Sequence, residues 1–168
     1  STPRVYVGTY AKYNNGSIEG EWLDLTDFSS YDEFIKKCKE IHSDEEDPEL
    51  MFQDFENDPA NFISESSINP ELWDYLSATS DWDDDRKEAF QDWVKNGSGT
   101  HEDISNFEDQ YQGHYNSERD FSDNLADEMI PSDAPEFLSR YFDYDAFSRD
   151  LFMSDYWMSD NGHVFINN

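Results

Sequence analysis

Three aspartates, Asp81, Asp83 and Asp85, have the clearest spacing for chemistry, because they alternate as the first ligands of an EF-hand calcium loop do. The rest of that loop does not follow. Its sixth position, which needs glycine for a sharp turn, is Arg86, and its twelfth, which needs a bidentate glutamate, is Asp92. Carboxylates in the first turn of a helix also complement the helix dipole. We therefore predict that these aspartates begin a solvated helix and bind no metal.

The other residue types that carry catalysis are scattered along the chain. No zinc-ligand spacing occurs among the four histidines, which are His42, His101, His114 and His163. Residues 97–100 precede a helix as a phosphate loop does, but they lack its lysine, so we interpret them as a linker. Cys38, the single cysteine, falls on the apolar side of a predicted helix, which is typical of a buried structural thiol in a reducing compartment. The sequence predicts no catalytic residue, no metal and no cofactor.

The charge of the chain is far outside the range of ordinary small domains. Forty Asp and Glu against eleven Lys and Arg give a formal net charge of −29. Disordered acidic chains lack aromatic residues, whereas 17% of this chain is Phe, Trp or Tyr, so we predict a folded protein. Its surface should repel nucleic acid and anionic membranes and attract cationic protein grooves. At one charge per roughly 1.7 Å of duplex, a charge of −29 corresponds to ~49 Å of DNA, about 14 base pairs.

Local patterns predict a small α+β unit at the start of the chain. Residues 5–10 and 18–25 alternate like strands around Asn14-Asn15-Gly16, which predicts a β-hairpin with a tight turn. Ser30 and Glu33 form a capping box for a helix that ends near His42. Residues 50–55 form a third strand.

The remainder of the chain is predicted to be mostly helical. Helices begin at Asn69-Pro70, at about residue 84 and at the Thr100 and Asp103 capping box. A further amphipathic helix carries apolar residues at four-residue spacing, and a helical stretch over 136–150 has an aromatic core face. The spaced residues of the amphipathic helix are Phe121, Leu125 and Met129. A second hairpin surrounds Asn161-Gly162.

Two segments resemble the ArdA antirestriction family. Residues 5–16, with the sequence VYVGTYAKYNNG, followed by Gly20-Glu21-Trp22, resemble the beginning of that family. Residues 135–151, with the sequence PEFLSRYFDYDAFSRDL, resemble its C-terminal signature, and the closing residues 161–166 also fit. Ser148 stands where the family usually has Gly, and residues 58–118 do not match residue by residue.

The resemblance implies an α+β fold, an elongated chain of three small α+β or helical domains with short antiparallel sheets. The implied domains are an N-terminal α+β domain at 1–60, a helical middle domain at 61–108 and a C-terminal α+β domain at 109–168 with the dimer contacts. It also implies a non-enzymatic homodimer that mimics B-form DNA. Such a protein, encoded on mobile elements of bacteria, would bind the DNA groove of type I restriction-modification enzymes.

Two groups of residues are assigned on this basis. The antirestriction motif maps to residues in the range 126–140, namely Ala126, Asp127, Glu128, Met129, Ile130, Pro131, Asp133, Pro135, Glu136, Leu138 and Arg140. The acidic surface that would replace phosphates comprises Asp44, Glu45, Glu46, Asp47, Asp81, Asp83, Asp84, Asp85, Asp103, Glu108, Asp109, Glu118, Asp120, Asp123, Asp143 and Asp145.

The acidity of the sequence is also compatible with two further classes of protein. An acidic chaperone or inhibitor of another basic DNA-binding protein would carry the same charge, and indifference to restriction enzymes would favour it. A halophilic protein would need molar salt to fold. The N-terminal residues lead into a strand without an apolar leader, and no apolar run could span a bilayer, so we expect a cytoplasmic protein of a bacterial host.

Overall fold

Alternation of apolar and polar side chains builds the first strand, because successive residues of a strand point to opposite faces. In the computed structural model, which describes residues 2–167, Val5 and Val7 are fully buried whereas Arg4 and Tyr6 are half-buried. The strands are β1 (Arg4–Thr9), β2 (Glu21–Asp24), β3 (Leu50–Glu56), β4 (Tyr111–His114), β5 (Tyr156–Met158) and β6 (His163–Ile166). The helices are α1 (Tyr10–Asn14), α2 (Tyr31–Ile41), α3 (Glu71–Ala78), α4 (Asp84–Lys95), α5 (Ile104–Gln110), α6 (Glu118–Met129), α7 (Glu136–Tyr141) and α8 (Tyr144–Asp150). The predicted α+β class is confirmed.

The chain divides into two compact units, Ser1–Lys87 and Glu88–Asn168. Each contains one three-stranded antiparallel sheet, ordered β2-β1-β3 in the first unit and β4-β6-β5 in the second. The finer division into three domains at 1–60, 61–108 and 109–168 stays a prediction.

The core of the first unit forms where α2 and α3 meet the sheet. Phe34 of α2 is fully buried, and its ring centroid lies 5.9 Å from that of Phe52 on β3 and 5.6 Å from that of Trp73 on α3. The indole Nε1 of Trp73 donates a hydrogen bond to the carbonyl of Leu25 at 3.2 Å, which satisfies its polar atom inside the core. Aromatic packing therefore holds the helices on the sheet.

The tight turn predicted for the opening hairpin is wrong, although β1 and β2 do pair antiparallel. The short helix α1 intervenes between them. The Thr9 hydroxyl accepts from the amide of Lys12 at 3.2 Å and so caps this helix. Gly16, which adopts φ +82°, terminates the helix. There the amide of Gly16 donates to the carbonyl of Tyr13, and the amide of Ser17 donates to the carbonyl of Lys12. The Asn-Gly signal is shared by hairpin turns and helix C-termini, and the Thr9 cap selects the latter.

The predicted helix starts are confirmed with small adjustments. Ser30 Oγ accepts from the Glu33 amide at 3.2 Å, but the Glu33 carboxylate returns to Ser29 rather than to Ser30. Asn69 Oδ1 accepts from the amide of Glu71 at 3.0 Å and begins α3. Thr100 and Asp103 make the complete capping box at the start of the helical segment that continues into α5. Cap residues act within one turn, which is why sequence spacing identifies them.

In the second unit the sheet packs on α4 and α5 through aromatic rings. Phe90, Phe107 and Phe165 are fully buried, with ring centroids 5.1 Å apart for Phe90 and Phe107 and 6.1 Å apart for Phe107 and Phe165. The predicted closing hairpin of β5 and β6 is confirmed, and Gly162 adopts φ +88° in its loop. Sequence reasoning did not anticipate β4, which pairs with β6 and completes the sheet.

The helical stretch predicted over 136–150 is divided into α7 and α8. The Asp143 carboxylate accepts from the amide of Ala146 at 3.0 Å, so a second helix begins there. The aromatic core face predicted for this stretch is wrong for α7, which contains no buried residue. The prediction that Met129 lies on the apolar stripe of α6 is also wrong, since 66% of this residue is exposed. Phe121 is buried and Leu125 is half-buried, as that stripe requires.

Candidate protein-binding surface

The carboxylates predicted to form the acidic surface lie on the outside of both units. Glu45, Asp103, Asp120 and Asp123 are half-buried, and all the other residues of that set are exposed. None of them is buried. This placement follows from solvation, because an ionised carboxylate is too costly to bury without a partner. The surface therefore presents negative charge in every region where the sequence predicted it.

The acidic loop, Asp44 to Asp47, follows α2 and is held by a lysine from α1. Lys12 Nζ lies 2.9 Å from Asp44 Oδ1 and 3.4 Å from Glu45 Oε2. It also lies 2.7 Å from His42 Nδ1. The side chain of Lys12 is only 12% exposed, whereas that of Asp44 is 65% exposed. Lys12 thus binds the loop from its buried side, while Asp44 remains exposed to solvent.

Electrostatics in this cluster favour the charged forms. Partial burial lowers the pKa of Lys12, but hydrogen bonds to Asp44 and Glu45 outweigh it, so the pKa is raised overall. The hydrogen bond from Lys12 is the main cause that lowers the pKa of Asp44. The ammonium and the carboxylate therefore stay ionised together over the physiological range.

The same cluster brings together a possible metal-ligand set. Ligand atoms of His42, Asp44 and Glu45 all lie within 4.8 Å of one another. The ammonium of Lys12 approaches all three, so it already supplies the positive charge that a metal would bring. Sequence spacing did not reveal the contact of Lys12 with these three residues, because that contact depends on α1 packing beside the end of α2. The geometry is that of a lysine-centred ion-pair network.

The aspartates with EF-hand-like spacing begin a helix, as predicted. Asp83 Oδ1 accepts from the amide of Arg86 at 2.8 Å, and its carbonyl accepts from the amide of Lys87 at 3.2 Å. Asp83 is therefore the N-cap of α4. Asp81, Asp83, Asp84 and Asp85 are all exposed.

In the second unit, some of the predicted carboxylates are engaged with the protein itself. Arg119 pairs with Asp123 at 3.0 Å and with Asp145, and so joins α6 to α8. Asp120 accepts from the amide of Asn116 at 3.3 Å, before the start of α6. Ion pairs at exposed positions contribute little stability, typically ~0.2–1 kcal/mol. Their effect here is to restrain where the carboxylates point.

The predicted antirestriction motif runs from the end of α6 through a loop into α7. Within it Ala126 is buried and Ile130 half-buried, and the other members are exposed, namely Asp127, Glu128, Met129, Pro131, Asp133, Pro135, Glu136, Leu138 and Arg140. Apolar side chains of α7 are open to solvent as well, since Phe137 and Leu138 are each 50% exposed and Tyr141 is 85% exposed. We call these three residues the α7 apolar face. Large apolar groups gathered at an exposed site mark an interaction surface.

A groove of about 470 Å³ lies in the second unit, next to the end of α6. Its apolar lining comes from Leu125, Met129, Phe147, Leu151, Tyr156 and Ile166. Met129 belongs both to this groove and to the predicted motif. Several chain segments line this groove, so sequence patterns along any one of them could not define it.

The buried titratable side chains are engaged in packing. Burial raises the pKa of Cys38 to about 12, so its thiol stays protonated and unreactive at neutral pH. Fully buried His163 uses both ring nitrogens, with Nε2 2.8 Å from Glu88 Oε1 and Nδ1 3.0 Å from the hydroxyl of Tyr111. Fully buried His42 likewise contacts the carbonyl of Val7 through Nε2 at 3.0 Å. These contacts fit structural roles.

Fold and surface define an acidic α+β protein that exposes its carboxylates around small aromatic cores. No helix within residues 2–167 is long and apolar enough to cross a membrane. The family model for antirestriction proteins, ArdA, matches residues 5–165, and the chain belongs to that family. Membership implies an antirestriction function, exerted by an inhibitor rather than by an enzyme. A comparison with curated proteins found no match.

Proposed function

We propose that this protein inhibits type I restriction-modification enzymes by occupying the DNA-binding groove of their methyltransferase core as a mimic of B-form DNA. Family membership supports the antirestriction role. The observation that carries the mimicry is the exposed or half-exposed position of every predicted phosphate-replacing carboxylate, in a chain with a net charge of −29. No covalent chemistry, metal or cofactor is part of this function.

The binding energy would come from many weak contacts. Carboxylates entering a cationic groove release its bound anions, as phosphates do, so affinity should fall steeply with salt. An exposed charge contributes about 1 kcal/mol or less, so replacing Asp84 alone by Asn should change affinity less than about tenfold. The same negative field disfavours nucleic acid and anionic membranes as partners.

The protein is also proposed to act as a homodimer that joins through the α7 apolar face. Residues 135–141 carry one acid, Glu136, and one base, Arg140, so this segment has no net charge in an otherwise strongly acidic chain. Two copies can approach here with little repulsion. In a two-fold symmetric contact, Glu136 of one copy would face Arg140 of the other.

Antirestriction requires that the protein meet the restriction enzyme, and so we place it in the bacterial cytoplasm. A gene on a mobile element, as the family resemblance implies, would deliver it together with the incoming DNA that it protects. Its buried, protonated Cys38 is compatible with a reducing compartment.

A competition experiment tests the proposal. A purified type I methyltransferase bound to a labelled target duplex would be titrated with this protein at low and at physiological salt. Displacement of the duplex near one equivalent, weakening as salt rises, is expected. Failure of the folded protein to displace DNA would exclude this target. A pull-down with other basic DNA-binding proteins would then test the acidic-chaperone alternative.

A further inference from the structure

Lys12, on α1, is a cation held against the acidic loop of the first unit by Asp44 and Glu45. The sequence contains no other Lys or Arg between Arg4 and Lys36. An ammonium has three N–H donors, and Lys12 has three acceptors within reach: His42 Nδ1, Asp44 Oδ1 and Glu45 Oε2. Its hydrogen-bonding capacity is therefore matched by this loop and the end of α2.

The partners of Lys12 are themselves fixed by the sheet. His42 is fully buried, and its Nε2–H donates to the carbonyl of Val7 on β1, so Nδ1 is left as the acceptor for Lys12. The buried Thr9 hydroxyl donates to Glu45 Oε2 at 2.7 Å. Two carboxylates of the acidic loop are thus connected through hydrogen bonds to the central strand of the sheet.

We propose that Lys12 is a positioning residue, which holds Asp44 and Glu45 at defined places on the surface that binds the cationic partner. The proposal rests on the proposed function and adds a requirement to it: the array of carboxylates must be ordered before binding. Ordering side chains in the free protein removes an entropic cost that binding would otherwise incur. Lys12 therefore favours binding by ordering the two carboxylates in advance, although its own positive charge is repelled by the cationic partner.

Positioning and charge alone make opposite predictions for the loss of Lys12. Lys12→Met makes the chain more negative by one charge, so an account based only on charge expects equal or tighter binding to a cationic groove. If Lys12 positions the loop, the variant binds more weakly. We expect a loss of about tenfold, equivalent to about 1.4 kcal/mol.

Lys37→Met provides the matched control. Lys37 is exposed on α2, and its replacement changes the net charge by the same amount without touching the acidic loop. In the competition with the duplex-bound methyltransferase, Lys37→Met should displace DNA at least as well as the unmodified protein, and Lys12→Met should be the weaker competitor. Equal competition by the two variants would overturn the proposal.

A second comparison begins with two variants that keep Lys12 and is completed by a double variant. Asp44 and Asp47 are both exposed acids of the same loop, but Asp44 is held by Lys12. Asp44→Asn should weaken competition more than Asp47→Asn, and adding Lys12→Met to Asp44→Asn should cost less than Lys12→Met alone. Additive effects, or a larger effect at Asp47, would contradict a positioning role.

Hydrogen exchange in the free protein separates this inference from the proposed function. The amide of Glu45 donates to the carbonyl of His42 at 3.1 Å. Its exchange should accelerate in Lys12→Met and not in Lys37→Met, because only the former releases the loop. If the unmodified protein fails to displace DNA, the proposed function fails, whereas unchanged exchange at Glu45 in Lys12→Met shows that Lys12 does not order the loop.

Discussion

Removing two of the three side chains of the α7 apolar face, those of Leu138 and Tyr141, should dissociate the proposed homodimer. Full burial of a large apolar side chain stabilises by about 1.5–3 kcal/mol. Tyr141 is 85% exposed and Leu138 50% exposed, so burying what remains would contribute about 1.5 and 1 kcal/mol respectively. A two-fold contact counts each residue twice, which gives about 5 kcal/mol per dimer. At 1.4 kcal/mol per tenfold, Leu138→Ser with Tyr141→Ser should weaken dimerisation by more than about a thousandfold.

Light scattering across a concentration series would measure this effect. The unmodified protein should have the mass of a dimer at micromolar concentration and the double variant that of a monomer, with an unchanged circular dichroism spectrum, because neither residue is buried in the unit. Ile18→Ser, at a 73% exposed position of the first unit, is the control and should remain dimeric. A monomeric unmodified protein, or a double variant that stays dimeric, would refute the reasoning.

Four further predictions concern stability and reactivity. Trp93→Ala should lower the free energy of unfolding by about 3–5 kcal/mol in a denaturant titration, because Trp93 is fully buried, and a loss below about 1 kcal/mol would contradict this packing. The Cys38 thiol should resist iodoacetamide at about pH 8 until the chain unfolds. Burial raises the pKa of Cys38 from 9.0 to about 12, so the folded state favours the protonated thiol. The associated stability is present below pH 9 and is lost as the pH rises towards 12. Measurements of the free energy of unfolding over this pH range would detect the loss. Asp44 behaves in the opposite sense: Lys12 lowers its pKa, so the associated stability is present above about pH 4 and lost as the pH falls through the lowered value. The stability difference between the unmodified protein and Lys12→Met should therefore shrink on acidification, and a constant difference would count against the ion pair.

Local elements were the part of the fold that sequence could predict. Ser30 and Thr100 cap helices through atoms two or three residues away, so their spacing alone identifies the start of α2 and of the segment leading into α5. The opening turn was mistaken because Asn15-Gly16 suits two structures, and a hydroxyl at Thr9 decides between them. The strand β4 was missed because Tyr111 pairs with Phe165, far along the chain.

The candidate surface shows the same division between local and distant information. The sequence states which carboxylates are present and how many there are, and the cost of burying an ionised group predicts that they lie on the protein surface. The hydrogen bond from Lys12 to Asp44 joins residues 32 positions apart, and sequence spacing does not predict contacts over that separation. The exposure of Tyr141 likewise depends on whether any other segment packs over α7, which periodicity cannot reveal.

The sequence by itself therefore determined the charge, the α+β class, the helix caps and the family resemblance, because these depend on composition or on contacts within a few residues. Only the tertiary structure decided which carboxylates Lys12 and Arg119 hold, and which apolar side chains of the second unit remain exposed. Both depend on contacts between distant segments, whose free energy is realised only when the chain has folded and excluded water from its cores.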